Sequence, residues 1–113
     1  MLDALTAIFG EELRGQVLVG GVPCELRCLT VGESDDVIKA VSDLGEPIHR
    51  GHQEHIHILA RALETVNDVR IEGTIEERIK LIRGWQEPVI TLLGNAYTEL
   101  VARQTDLLRQ IKN

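Results

Sequence analysis

Aromatic side chains are almost missing from this chain. Phe9, Trp85 and Tyr97 are all it has in 113 residues, so rings cannot build its interior. The core must be aliphatic, drawn from Leu, Ile and Val. Cysteine is equally sparse, with Cys24 and Cys28 alone. On one strand face they would stand about 13 Å apart at ~3.3 Å per residue. A disulfide needs Cα atoms within about 7 Å, so they cannot bridge each other there. They read as buried free thiols, which suits a reducing compartment. Ser34 and Ser42 are the only serines, and neither lies in a nucleophile elbow. No P-loop and no dinucleotide-binding glycine pattern is present. No apolar run approaches the ~20 residues of a membrane span. Basic residues are outnumbered 12 to 18, and the net charge of -6 argues against nonspecific nucleic-acid or anionic-membrane binding.

What is present suffices for one domain, residues 1–113. A chain of this length buries roughly 65% of its unfolded surface. Its hydrophobic content of 43% is ordinary for a globular protein and argues against disorder. The N-terminal MLDALTAIFGEEL has an early Asp and no basic n-region, so it is not expected to act as a secretory signal.

The stretch RGQVLVGGVPCELRCL, residues 14–29, predicts a β-hairpin closed at Gly20-Gly21. Two glycines supply the positive φ that a two-residue turn requires. Val19 then faces Val22, Val17 faces Cys24, Gly15 faces Leu26 and Leu13 faces Cys28. The period of two gathers Val17, Val19, Val22, Cys24, Leu26 and Cys28 on one face. Gln16, Glu25 and Arg27 fall on the other.

Everything after the hairpin is expected to be helical, over about residues 33–112. Leu2, Leu5, Ile8 and Phe9 before it also sit at helical spacing, ended by Gly10. Thr30 or Ser34 can cap the first helix after the hairpin, with Glu33, Asp35 and Asp36 near its positive end. Val37, Ile38, Ala40, Val41 and Leu44 form its stripe, and Gly45 with Pro47 ends it. A further helix is expected from Ile48 to Asn67, with His52, Ile56, Leu59, Leu63 and Val66 along one face and Ile58 and Ala62 widening it. Asn67-Asp68 is a turn, followed at 69–73 by a short extended connection, with a brief third strand as the alternative. Thr74-Ile-Glu-Glu77 is a capping box opening a helix that ends at Gly84. Trp85 marks the corner, read as a core position, and Pro88 suits the first turn of the last helix. That helix, about 25 residues and ~37 Å long, outruns a body of this size. Its late apolar residues are candidates for a partner interface as well as for the local core: Leu100, Leu107, Leu108 and Ile111.

Two constellations invite a catalytic or metal reading. His49, His52, His55 and His57 cluster within nine residues. They lack the i, i+4 spacing of a zinc-protease helix, and no second ligand group completes a site. They read as histidines on a polar helix edge, with pH-sensitive association left open. The carboxylate pairs Glu11-Glu12, Asp35-Asp36 and Glu76-Glu77 belong to helix starts and solvated faces. No catalytic residue, cofactor or metal ligand is assigned, and no enzyme activity is expected.

Three blocks carry a family resemblance: the hairpin leading into Leu29-Thr30-x-x-Glu33, the ALETVND turn at 62–68, and ERIKLIRGW…VITLLGNAYTELVARQ at 77–104. Over roughly residues 15–110 the chain resembles the small tail-assembly proteins of tailed bacteriophages. These include tail-assembly chaperones and small baseplate or hub proteins of contractile-tailed phages. The LDALTAIFG segment departs from that pattern by its hydrophobicity. The resemblance implies a noncatalytic protein that binds other tail proteins, such as tape-measure, hub or baseplate proteins. It implies action in the host bacterial cytoplasm during assembly, with a place in the virion tail and homo-oligomer formation left open. A small dimeric bacterial adaptor or regulatory protein is the alternative. The fold expected is α+β, mainly α: one N-terminal β-hairpin packed against about four or five helices, the last of them long.

Overall fold

The computed structural model describes residues 14–43 and 47–112, without the side chains of 47–50, 107, 108 and 110–112. Two strands open it, β1 (Arg14–Val19) and β2 (Val22–Arg27). Two helices follow, α1 (Val31–Ser42) and α2 (Pro47–Ala62). A second hairpin comes next, β3 (Leu63–Val66) and β4 (Val69–Arg70). The chain ends in α3 (Ile75–Arg83) and the 26-residue α4 (Glu87–Lys112). The strands form one antiparallel sheet in the order β1-β2-β3-β4. The architecture is α+β, mainly α, with helices covering one face of the sheet.

The first hairpin has the expected register: Val19 opposite Val22, Val17 opposite Cys24, Gly15 opposite Leu26. Gly20 and Gly21 have φ of 58° and 83°, the left-handed pair that matches the twist of the flanking strands. Cys24 and Leu26 are buried, and Val17, Val19 and Cys28 pack against the core from the same face. The Leu13–Cys28 pair, the 2–9 segment with Gly10, and Leu44 with Gly45 fall outside the described residues.

In the second hairpin β4 falls within the stretch expected to be extended, whereas β3 corrects the expectation of helix up to Asn67. The helix expected to reach Asn67 stops at Ala62, and Leu63–Val66 turns into a strand beside β2. Asn67 and Asp68 take φ of 53° and 64°, so they repeat the glycine turn with residues that tolerate the left-handed region. The Arg78 guanidinium donates to the Leu63 carbonyl where helix gives way to strand. A register shift between Glu25 and Leu26 sets Glu64 as the extra residue on β3. Such a bulge keeps Leu63 in the core while Glu64 reaches Arg14 at 2.7 Å on the opposite face.

Thr30 and Thr74 both head capping boxes, closed by Glu33 and Glu77. Asp43 caps the end of α1, and Pro47 opens α2 rather than merely ending the helix before it. The core joins Leu26, Leu59, Leu63, Ile82, Leu93 and Leu100. Val37 and Val41 of α1 are buried, but Ile38, expected on the same stripe, is exposed. Trp85 is half-buried at the α3–α4 corner.

Candidate protein-binding site

An apolar groove of about 410 Å³ opens between the sheet and the α3–α4 corner. The hairpin contributes Val19, Val22 and Cys24 to its lining, and β3 contributes Val66. The opposite wall is Trp85, Val89 and Leu93. Local sequence explains each wall. The tight glycine turn sets Val19 and Val22 side by side at the hairpin tip. Gly84 ends α3, and the Trp85 amide donates to the Ile82 carbonyl at 2.9 Å, which fixes the corner. Val22, at 37% exposure, stands at the rim. The Cys24 thiol faces the groove as an apolar group, because burial pushes its pKa above the usual thiol value.

Beyond the groove, β2 is locked to α1 and α4. Arg27 Nη1 and Nη2 donate to Glu33 Oε1 and Oε2 at 2.8 and 2.6 Å. Glu33 Oε1 also accepts from the Thr30 amide at 3.0 Å. This paired, charge-assisted geometry holds the Glu33 carboxyl down to about 2. The Leu29 amide donates to Tyr97 Oη at 3.1 Å, and burial raises the Tyr97 pKa.

A second groove, about 380 Å³, gathers Arg27, Arg61, Arg70 and Arg78 with Glu64 and Glu72. Sequence reading missed it, because the four arginines come from β2, α2, β4 and α3. Burial, and secondarily the charge of Arg27, lower the Arg78 pKa.

The described histidines, His52, His55 and His57, do not share a site. His52 Nε2 lies 2.8 Å from Glu87 Oε1, joining α2 to the start of α4. The His55 ring packs on Gly94, where a Cβ would stand 2.7 Å from its Cγ. Burial, then the charges of Arg61 and Arg83, lower the His57 pKa. The side chain of His49 is outside the described residues. Among the described residues no three His, Cys, Asp or Glu side chains group as metal ligands.

The candidate interface on α4 divides. Leu100 is 2% exposed and belongs to the core, the part of its expected double role that lies within the chain itself. The α4 backbone continues to Lys112, past Leu107, Leu108 and Ile111, whose side chains are outside the described residues. Arg103, Thr105, Asp106 and Arg109 are exposed. No helix among the described residues is long and apolar enough to cross a membrane. Comparison with protein families, curated proteins and solved structures finds no match.

Proposed function

We propose that this chain is a noncatalytic tail-assembly or tail-structural protein of a tailed bacteriophage. It works through protein–protein contacts in the host cytoplasm, and its partners are other tail proteins, foremost the helical tape-measure protein or a hub or baseplate protein. The family resemblance supplies the partner class. The groove between the hairpin tip and the Trp85 corner is the observation that carries the reading. It is open, apolar and walled by a strand pair and a helix, a shape that accepts the apolar face of a partner helix. Burying such a face removes aliphatic side chains of the partner from water until assembly.

Trp85 is the only tryptophan, so its emission reports on this groove directly. The chain, co-expressed with the tail proteins encoded beside it, is expected to co-purify with one of them and to show a blue-shifted Trp85 emission. Val22→Glu puts a charge at the groove rim, where a half-exposed position keeps the fold within ~0.5 kcal/mol. It should abolish co-purification. Unchanged capture by that variant, or no capture of any tail protein by the wild type, would refute the proposal.

A further inference from the structure

Among the described residues the sheet ends on an open edge. β1 pairs with β2 on one side and has no backbone partner on the other among the described residues. Pro23 determines which groups that edge presents. It has no N–H, so it cannot exchange ladder bonds with Leu18, its register partner. Its carbonyl accepts instead from the Asn67 amide at 2.7 Å, on the β3 side. The β1–β2 ladder bonds therefore fall at Val19–Val22, Val17–Cys24 and Gly15–Leu26. The N–H and C=O groups of Leu18, Gln16 and Arg14 point outward. Edge strands normally carry proline, a bulge, lysine or an inward charge that discourages pairing. β1, Arg-Gly-Gln-Val-Leu-Val, has no proline, bulge or lysine and only Arg14 as a charge, at its first position, and its Leu18 is 67% exposed.

We propose that β1 pairs antiparallel with β1 of a second copy, across a two-fold axis at Gln16. An axis at Leu18 would run the pairing into the glycine turn, and one at Arg14 would oppose two arginines. The axis at Gln16 sets Leu18 against Arg14 and Val17 against Gly15. The core-facing side of this seam is self-complementary. Gly15 has no side chain because Leu100 fills its place: a Cβ there would stand 2.8 Å from Leu100 Cδ1. An apolar groove of about 530 Å³ lies beside it, and Val17 of the second copy would stand over that groove. Glu99 and Arg103 line the same groove one helical turn apart on α4, and neither forms an ion pair among the described residues. A two-fold axis reverses one α4 against the other. Glu99 of each copy then meets Arg103 of its mate, so the charges complement each other. This contact is independent of the tail partner and uses different residues from the Trp85 groove.

Light scattering of the full chain over a dilution series is the test. A concentration-dependent dimer is expected. Leu18→Lys faces Lys with Arg14, and Gln16→Pro removes an outward N–H that has no partner among the described residues. Both should weaken dimerisation at least tenfold while keeping the circular dichroism spectrum and melting temperature. Glu99→Arg and Arg103→Glu should each weaken it, and the double exchange should restore it. The wild type carries its own check, for the Gln16 and Leu18 amides should lose hydrogen-exchange protection on dilution. A monomer at high micromolar concentration would overturn the proposal. So would protection of those amides in the monomer, which would mean the edge is covered within one chain. A dimer indifferent to both strand variants and to the charge exchanges would place the contact elsewhere.

Discussion

Glu33 serves two elements with one carboxylate. It closes the capping box of α1 by accepting from the Thr30 amide, and it ties that helix to β2 through Arg27. A capping box needs only a side-chain oxygen at this position, which Gln also provides. The charge is needed for Arg27. The Glu33 pKa falls from 4.5 to about 2 on folding, first through the Arg27 hydrogen bonds. A depressed folded-state pKa means the contribution to stability is complete above about 4.5 and is lost as pH drops toward 2. Glu33→Gln should therefore lower neutral-pH stability by about 1.5–3 kcal/mol, the range for hydrogen bonds to charged groups. Its denaturant midpoint should also fall less steeply than the wild type's between those two pH values. Parallel pH profiles for the two proteins would show that the Arg27 pair does not contribute in this way. The Thr30–Glu33 spacing is readable in the sequence, because a capping box is local. The Arg27 partnership is not, since nothing local says that β2 ends facing the first turn of α1.

The two hairpins show the same contrast at the level of elements. Gly20-Gly21 announces its turn, since positive φ costs glycine little. Asn67-Asp68 makes an equivalent turn with a weaker signal, and the stripe of Ile56, Leu59 and Leu63 runs up to it at helical spacing. Leu63 fits the core face of a helix and equally the core face of a strand, so periodicity alone could not end α2 at Ala62. What selects the strand is tertiary: the β2 edge, the Arg78 bond to the Leu63 carbonyl and the Asn67 amide on Pro23. None of these is local. The Trp85 groove was half legible for the same reason. Its walls lie on a predicted hairpin and a predicted corner, but Val66 enters through the unpredicted strand. The strained turn yields a test. Asp68 holds a φ of 64°, which glycine adopts without strain. Asp68→Gly should raise the denaturant midpoint slightly at unchanged slope, because the left-handed strain relieved, about 1–2 kcal/mol, exceeds the roughly 0.4–1 kcal/mol of extra unfolded-chain entropy that a glycine brings. A lower midpoint would mean that an Asp68 side-chain contact outweighs the relief of strain.

Across the whole molecule, α4 is the element that both proposed interfaces share. Its start walls the Trp85 groove, Leu100 anchors it beneath β1, and its last turns run on to Lys112. At 1.5 Å per residue its 26 residues span about 39 Å, against a longest dimension of 43 Å. The buried part of the helix is continuous from Ile90 to Leu100, and the described side chains after Leu100 are exposed or, at Gln104, half-buried. The sequence nonetheless keeps apolar residues at Leu107, Leu108 and Ile111, at a cost that water imposes unless something covers them. We expect that cover to be the tail partner, extending its contact beyond the groove. Truncation after Arg103 separates the surfaces, because it keeps the core, the Trp85 groove, Glu99 and Arg103. The truncated chain should melt within a few degrees of the full chain and still dimerise. Its affinity for the tail protein should fall by about tenfold or more, the equivalent of roughly 1.4 kcal/mol, measured by titration of Trp85 emission. Undiminished affinity would remove the three residues from the interface. Outright unfolding would place them in the chain's own core, and the partner role assigned to them would fall with it.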